Sequence, residues 1–470
     1  MKKKNIDTAT SNIFESRALV QVGIPCLIVL SYMLLAFQPD LRLAVPEMIR
    51  ITAGIIALIA LAAFLAGSSA VCLSPGVIIA TAVLIRIPFL LRTPELSDDI
   101  YRYLWDGLQL LAGNNPYSLP PNQAEPVNEA SAAIRHLINH GDLVTIYPPA
   151  AQVVFAVGAA IGHGVIGLKA VLVALDLATC FVIVRILKTL NLPLWRATLY
   201  AWHPLVVLEI AGSGHVDGAG MTFFLLAFML LVTYAEAPPI SSENRSDSTG
   251  PVRHLRVIPL MVGILFSVSA LVKLYPLIFL PAYLALLAPR DRWLFFAGGA
   301  TALACLSIPF IPELFNVFTT LGIYTRHWEF SGLAYQTLHA VVSGDKARLL
   351  LAALFTAVTI ASAVRLFHST SKWNRHLFLS AVQTMTVTTV AFLILTPTLH
   401  PWYALPLVFF LPFAATPSLL ILSWAVLLAY KVLMPYSILG QWIEESSTPL
   451  MIWIGVAAAL LLERINNVRR

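Results

Sequence analysis

Two adjacent carboxylates, Asp98 and Asp99, follow an apolar segment of a chain that otherwise carries few charges. Charged residues make up 11% of the 470 residues and hydrophobic residues 58%, so a cluster of acids beside an apolar run needs a reason. Ionisable groups near a bilayer are costly and persist mostly where they bind or react with something. The chemistry that such a pair could perform is general base catalysis, in which a carboxylate accepts a proton from a hydroxyl group.

The residues after the acidic pair extend this polar cluster. On a helix, Asp98, Arg102 and Asp106 are spaced four residues apart and share one face. Trp105 lies on another face, which is suited to the headgroup level of a membrane. We therefore predict a short amphipathic helix on the outer surface, with its acidic stripe directed into a protein cavity. The alternative is that the two Asp residues cap the helix and Arg102 pairs with Asp106 as a surface ion pair.

Further polar groups recur at four places that we predict to lie on the same side of the membrane. Because the chain contains so few charged residues, the predicted location of these groups on one side of the membrane favours a common pocket. An outward-directed lysine at the end of a span suits a phosphate group. The residues are Glu209, His215 and Asp217 around one outer turn, Lys273 at the end of a span, Arg326 in a second outer loop, and His400 with Tyr403 at a late outer turn.

Each of these places could also have an ordinary structural role. Glu209 and His215 could satisfy an interhelical hydrogen bond. Lys273 could extend to the membrane interface, and Arg326 could belong to a loop turn. His400 and its aromatic neighbours could be interfacial belt residues.

The elements that must position these groups are transmembrane helices. A mean hydropathy of +0.80, with repeated apolar runs separated by short polar joints, predicts an all-α polytopic membrane protein. Basic joints fit the cytoplasmic side with about 12–14 spans and both termini inside. The predicted spans are 18–37, 50–66, 76–91, 168–187, 196–213, 217–235, 257–272, 274–288, 293–309, 348–366, 378–396, 402–414, 417–434 and 449–463.

This topology organises the single membrane domain 1–470 around two large outer loops. The charge bias holds only if the apolar segment 148–167 does not cross, so we place it on the outer surface as a juxtamembrane helix within the loop 92–167. The second outer loop is 310–347, and 235–256 is predicted to be a flexible cytoplasmic linker. The chain has no basic stripe interleaved with aromatic residues, so nucleic acid is not an expected partner.

The order of these motifs resembles the GT-C class of polytopic glycosyltransferases, and most of all its mannosyltransferase-like members. The resemblance rests on the acidic pair, on the run from Arg102 to Gly107 after it, and on four later motifs between about residues 91 and 403. Those motifs are Tyr147-Pro148-Pro149, Gly214-His215-Val216-Asp217, Lys273-Leu274-Tyr275-Pro276 and His400-Pro401-Trp402-Tyr403.

The resemblance implies a GT-C-like bundle that transfers a mannose-like hexose from a polyprenyl-phosphate donor to a hydroxyl of a lipid or glycan acceptor. It places the site on the extracytoplasmic face of the inner (cytoplasmic) membrane, with Asp98 or Asp99 as the general base. The charges and their predicted side of the membrane supply the other candidates for such a site. Arg102, Lys273, Arg326, His400 and Tyr403 would bind the donor phosphate and sugar, and Trp105, Asp106, Glu209, His215 and Asp217 would line the pocket. Asp99 with His215 or Asp217 could hold a divalent cation, Mg²⁺ or Mn²⁺, if they converge.

A rival hypothesis is a membrane transporter or lipid-linked sugar flippase that makes no bond. In that case intramembrane charges such as Arg86, Asp176 and Glu209 would form a path at mid-depth. Neither an inverted repeat nor a matched pair of broken helices is apparent in the sequence, and the acids cluster near one surface. The sequence therefore favours glycosyl transfer.

Overall fold

The computed structural model describes residues 17–68, 73–236, 251–369 and 375–468, and these form a helical bundle. Nine helices within these ranges are long and apolar enough to cross a membrane, and five shorter apolar helices of 10–17 residues accompany them. The prediction of an all-α polytopic membrane protein is confirmed. In chain order the principal helices are α1 (Leu19–Ala36), α2 (Val45–Ser68), α3 (Pro75–Leu91), α4 (Asp99–Leu111), α5 (Glu129–Ile134), α6 (Pro149–Ile161), α7 (Val165–Thr189), α8 (Asp217–Glu236), α9 (Pro251–Val272), α10 (Tyr275–Leu286), α11 (Arg292–Ser307), α12 (Asn316–His327), α13 (Leu333–His339), α14 (Gly344–Ser369), α15 (Arg375–Leu395), α16 (Leu405–Ala414), α17 (Pro417–Leu439) and α18 (Thr448–Val468).

The first large loop contains the helices α4, α5 and α6, which lie between the apolar helices α3 and α7. Helices α4 and α6 pack closely because Gly107 has no side chain. A Cβ atom at this position would stand 2.4 Å from the carbonyl oxygen of Phe155, so the two backbones are in direct contact. This contact fixes α4 on α6, and α6 in turn packs on α7.

The predicted span 196–213 is not one continuous helix. Short helical pieces, among them Thr198–Ala201, Pro204–Val206 and Val207–Gly212, are interrupted at His203. Proline lacks a backbone N–H and disfavours the helical conformation in the residue before it, so Pro204 ends one piece and begins the next. The His203 ring satisfies the break, since Nδ1 accepts the Leu205 N–H at 3.2 Å and Nε2 lies 2.9 Å from Ser423 Oγ.

The predicted linker 235–256 falls mostly outside the described residues, which stop at 236 and resume at 251. Helix α9 begins at Pro251. The later helices α14 and α15 pack against each other, as do α17 and α18. The loop before α13 is tied to the loop after α15, because Leu399 N donates to Phe330 O at 2.7 Å and Phe330 N donates to Pro397 O at 3.1 Å. These hydrogen bonds bring the second large loop beside His400.

Candidate active site

A cavity of about 1150 Å³ lies where helix α4 begins, and most of the predicted site residues border it. Its polar wall comes from five places: the start of α4, the loop before α6, the start of α8, the turn after α9, and the loop after α15. A second wall is apolar. The predicted residues that line the cavity are Asp98, Asp99, Arg102, Asp217, Lys273, His400 and Tyr403, and the apolar wall includes Ile278, Phe279, Leu351, Phe355 and Phe392.

Asp99 lies in the first helical turn of α4, and its side chain, 21% exposed, turns into the polar wall. Oδ1 accepts a hydrogen bond from Asn139 Nδ2 at 3.0 Å, and Oδ2 accepts one from the Tyr147 hydroxyl at 3.3 Å. Burial alone would raise the pKa of this carboxyl. In the acid range where Asp99 titrates, the charged imidazole of His215, the Asn139 amide and the ammonium of Lys273 outweigh burial, so the pKa of Asp99 lies below its ordinary value.

Asp98 occupies the N-cap position of α4, but its side chain makes no capping hydrogen bond. Instead, Ser97 Oγ accepts the Asp99 N–H at 3.3 Å. Asp98 is exposed at the rim of the cavity. Partial removal of its carboxyl from water raises the pKa, and the charge of Arg42 counteracts part of that rise. The two neighbouring acids therefore have different surroundings: Asp99 is hydrogen-bonded within the wall, and Asp98 stands at the edge.

Lys273 is held by Asp217. The Lys273 Nζ atom lies 3.1 Å from Asp217 Oδ2, and it also stands 5.3 Å from the centre of the Tyr147 ring. The Tyr275 hydroxyl donates to the backbone carbonyl of Asp217 at 3.2 Å, which joins the start of α10 to the start of α8. The lysine thus keeps a fixed position beside the acid, with 22% of its side chain exposed to the cavity.

His215, Trp402 and His400 form a stack of parallel rings in the wall. The ring centroids of His215 and Trp402 are 4.1 Å apart, and those of Trp402 and His400 are 4.3 Å apart. Burial lowers the pKa of His215 to about 4 and that of His400 to about 3, so both rings are neutral at pH 7. The stack joins the turn before α8 to the loop after α15.

Gly214 brings the turn of His215 against helix α4. Its φ of +75° lies in the left-handed region, which favours glycine. A Cβ atom at Gly214 would lie 2.3 Å from Cδ1 of Ile100, the residue after the acidic pair. A side chain at position 214 would therefore push this turn away from α4.

Glu209 lies behind the wall and does not line the cavity. Its side chain is fully buried, and its two carboxyl oxygens lie 2.8 and 2.9 Å from the Tyr430 hydroxyl. Its Oε2 atom is 3.5 Å from Nε2 of His215. The prediction that Glu209 belongs to the pocket therefore holds only for the layer beneath the lining residues.

Arg102 and Asp106 pair with each other across one turn of α4. Arg102 Nε lies 2.9 Å from Asp106 Oδ1, and the two side chains are 8% and 1% exposed. Gln152 Nε2 reaches Asp106 Oδ2 at 3.3 Å, and Arg102 Nη1 donates to the Leu143 carbonyl at 3.0 Å. The ion pair that we considered as an alternative is present, but it is buried rather than on the surface, because α6 and the loop that contains Leu143 cover this side of α4.

Five predicted residues do not line the cavity: Glu209 and His215, which lie behind its wall, and Trp105, Asp106 and Arg326. Trp105 is 2% exposed and packs in the interior rather than at the membrane surface. Asp106 is bound to Arg102 behind the wall, as described above. Arg326 is an exposed residue near the end of α12 and does not line the cavity.

The structure adds Arg348 to the cavity as a cation that was not predicted from the sequence. Arg348 lies in the first turn of α14 and pairs with Glu329 at 2.6 Å. The predicted second outer loop ends at residue 347, so the hydropathy pattern assigned Arg348 to a membrane span. Asn139 was also missed, and no sequence pattern marks it. Tyr147 belongs to one of the motifs that carry the resemblance but was not predicted as a site residue.

The described residues contain no group of three or more His, Cys, Asp or Glu side chains placed to hold a metal ion. The acids and imidazoles are distributed around Asp99 and Lys273 instead. Chemically, the arrangement offers the partly buried carboxylate of Asp99, four cationic side chains and an apolar wall around one cavity; the cations are Arg42, Arg102, Lys273 and Arg348. Such a set can accept a proton, hold an anion and accommodate an apolar group.

Comparison with known protein families identifies residues 29–289 with a family model described as alpha-(1->6)-mannopyranosyltransferase, N-terminal domain. Comparisons with curated proteins and with solved structures returned no match. The matched segment contains Asp98, Asp99 and Lys273, whereas Arg348 and His400 lie beyond it. Since the match covers more than half of the chain, the protein belongs to the alpha-(1->6)-mannopyranosyltransferase family, a GT-C type family of mannosyltransferases.

Proposed function

We propose that this chain transfers a mannosyl group from a polyprenyl-phosphate donor to a hydroxyl group of a lipid or glycan acceptor, with Asp99 as the general base. The observation that supports this most is that Asp99 and Lys273 border the same cavity as an apolar wall formed by α10, α14 and α15. A donor that carries both a phosphate and an isoprenoid tail needs cations and an apolar surface side by side.

The reaction is a single displacement at C1 of the mannosyl group. The acceptor oxygen forms a bond to C1, and the bond between C1 and the phosphate oxygen breaks. The bonding electron pair leaves with the phosphate, and the acceptor proton passes to a carboxylate oxygen of Asp99. A phosphate leaving group needs cations more than an acid, so Lys273 and Arg348 are assigned to it.

Asp99 is preferred to Asp98 on geometry. A general base must lie within hydrogen-bond reach of the proton that it accepts, and geometry takes precedence over pKa in this choice. Asp99 is held by Asn139 and Tyr147 beside Lys273, whereas Asp98 is exposed at the rim. Asp98 is the stronger base of the two because its pKa is raised, so the two residues must be tested in parallel.

The location of the reaction is part of the same proposal. Positive-inside counting favours a multi-pass protein of the inner (cytoplasmic) membrane with both termini in the cytoplasm. The cavity would then open on the extracytoplasmic side, where a donor whose tail lies in the bilayer can approach the apolar wall laterally.

The direct test uses purified protein in liposomes with radiolabelled polyprenyl-phosphate mannose and a mannoside acceptor. We expect the wild type to consume the donor, Asp99→Asn to lose at least about 100-fold in turnover, and Asp98→Asn to lose much less. Equal activity of Asp99→Asn and wild type would remove Asp99 from the mechanism. Movement of the donor lipid across the bilayer without consumption would support a flippase. EDTA followed by Mg²⁺ or Mn²⁺ tests metal dependence in the same assay.

A further inference from the structure

The transfer as written gives no role to His215, the buried histidine behind Asp99. Its Nδ1 atom lies 3.9 Å from Asp99 Oδ2, and its Nε2 atom lies 3.5 Å from Glu209 Oε2. Neither ring nitrogen has a hydrogen-bond partner among the described residues, and the side chain is fully buried. A buried polar group without a partner is costly, so a histidine retained in this state must gain a partner or serve a purpose.

The ring of His215 is fixed in this orientation. It stacks on Trp402 at an interplanar angle of 24°, and its backbone N–H donates to the Glu209 carbonyl at 2.8 Å. The close contact between Gly214 and Ile100 holds the same turn against the first turn of α4. The two ring nitrogens therefore keep pointing at the two acids, one on each side.

The number of protons shared by Asp99, His215 and Glu209 follows from the chemistry of the three side chains. A neutral imidazole carries one N–H, so it donates to one acid and must accept from the other, which then holds a proton. Asp99 has an amide donor and Lys273 nearby, and both favour its ionised form. Glu209 has a phenol, Tyr430, as its other partner. The proton therefore belongs on Glu209 and the charge on Asp99.

We propose that a protonated Glu209 fixes the tautomer of His215, and that His215 donates its Nδ1–H to Asp99 once substrates are bound. This inference rests on the proposed role of Asp99 as base. The distance of 3.9 Å must shorten by about 1 Å to become a hydrogen bond. Catalytic hydrogen bonds are often long without substrate and tighten in the reacting complex. His215 and Glu209 are positioning residues, because neither touches the acceptor or the donor.

The hydrogen bond would orient the carboxylate of Asp99 without moving a second proton. The acceptor proton still ends on Asp99, and His215 keeps its own. Other charged and titratable groups also surround Asp99 and His215, and they come from several elements packed around the pair. They are Asp98, Tyr103, Tyr147, Asp217, Lys273, Tyr324, His400 and Tyr430.

The first test is His215→Phe, which keeps a ring for the stack on Trp402 and removes both nitrogens. A misplacement of about 1 Å in a catalytic group can cost about 100-fold in rate. We expect kcat to fall about 10- to 100-fold while KM for the donor changes by less than about threefold. The exposed His136 provides a matched control, since His136→Phe makes the same chemical change outside the cavity. A rise in KM with unchanged kcat would overturn the proposal.

The second test separates the proton on Glu209 from its packing. In Glu209→Gln, the amide NH₂ can donate to His215 Nε2 as the protonated acid does, so we expect kcat within about threefold of wild type. Glu209→Met fills a similar space without a donor, and we expect it to lose activity as His215→Phe does. Equal loss in Glu209→Gln and Glu209→Met would contradict the proton assignment.

Asp99→Asn, assayed in the same experiment, separates the proposed role of Asp99 as base from the positioning role of His215. If Asp99→Asn is inactive while His215→Phe is fully active, the proposed function stands and the positioning role falls. If Asp99→Asn is fully active, the proposed base itself is wrong. Each variant is accepted only if its elution profile and thermal unfolding midpoint match those of the wild type. If His215→Phe does not meet this criterion, the comparison of Glu209→Gln with Glu209→Met is the deciding measurement.

Discussion

Lys273 Nζ lies 3.1 Å from Asp217 Oδ2, so the ammonium that lowers the pKa of the proposed base is anchored by a different carboxylate. Asp217 is 2% exposed at its side chain and begins the long helix α8, whereas Lys273 follows α9. The ion pair therefore links two helices at the cavity. It leaves 22% of the lysine side chain exposed to the cavity.

Replacement of Lys273 by Met tests the role of this cation in leaving-group stabilisation. Removing one preorganised group that stabilises developing negative charge lowers kcat by about 100- to 1000-fold. We expect Lys273→Met to lose about 100-fold in turnover of the mannosyl-phosphate donor. Asp217→Asn keeps the ammonium but frees it, and we expect a smaller loss. A turnover of Lys273→Met equal to that of wild type would show that the phosphate lies elsewhere.

Arg348 and Arg326 give a matched comparison for donor binding. Arg348 lines the cavity next to the apolar residue Leu351, and Arg326 is exposed outside it. A lost hydrogen bond to a charged group costs about 1.5–3 kcal/mol, which corresponds to at least about tenfold in affinity. We expect Arg348→Met to raise KM for the donor about tenfold and Arg326→Met to leave it unchanged. The reverse pattern would return the donor phosphate to the position first predicted from the sequence.

Membrane sidedness is testable with single cysteines on exposed residues. Ser118 lies in the first large loop, and Lys188 lies near the end of α7, in a basic joint predicted to be cytoplasmic. We expect Ser118→Cys to react with a membrane-impermeant maleimide in intact cells, and Lys188→Cys to react only after permeabilisation. The parent chain, with its own four cysteines, is the background control. Labelling of Lys188→Cys alone from outside would invert the topology.

The fold class could be predicted from hydropathy, because repeated apolar runs of span length are typical of membrane-spanning helices. The cluster around the acidic pair was also predictable in part, since Asp98, Asp99 and Lys273 stand out in a chain with few charges. Arg102 shows the limit of this reasoning: the spacing indicated its partner Asp106, but burial of that pair depends on α6, which packs through Gly107.

Some residues that reach the site from distant parts of the chain could not be predicted. Asn139 has no neighbouring pattern, and its bond to Asp99 depends on the path of a loop with little regular structure. Arg348 falls one residue beyond the loop boundary that hydropathy indicated, so it was assigned to a membrane span and not considered as a site residue. Pro204 marks the break at His203 in the sequence, but the contact of the His203 ring with Ser423, more than 200 residues away, depends on the tertiary structure.

The buried pair of Arg102 and Asp106 is expected to support stability more than chemistry. Removing one partner of a buried ion pair leaves an uncompensated charge and costs about 3–5 kcal/mol. We expect Arg102→Met to lower the unfolding midpoint in detergent markedly, and Arg102→Met with Asp106→Leu to recover part of the loss. Arg50→Met, in an exposed pair with Glu47, is the control and should cost at most about 1 kcal/mol. An unchanged midpoint in Arg102→Met would contradict this account.

The pH dependence of transfer should show the state of Asp99 without a contribution from His215. The working form of the base is the carboxylate, and its pKa is lowered from the ordinary 3.8, so the active form is complete at neutral pH and is lost only as the pH falls through that lowered value. His215, with a pKa of about 4, also stays neutral above about pH 5. We therefore expect kcat/KM to be flat between about pH 5 and 8, apart from ionisation of the substrates.

Removing the neighbouring cation, Lys273, should shift the pH at which kcat/KM falls on the acid side. In Lys273→Met the attraction that favours the carboxylate is weaker, so the residual activity should begin to fall at a higher pH than in wild type. The measurement is kcat/KM of both proteins from about pH 4 to 8 in buffers of constant ionic strength, with Arg326→Met as a control that removes a distant charge. A wild-type profile that falls between about pH 7 and 5, with no such change in substrate ionisation, would mean that a group other than Asp99 accepts the proton.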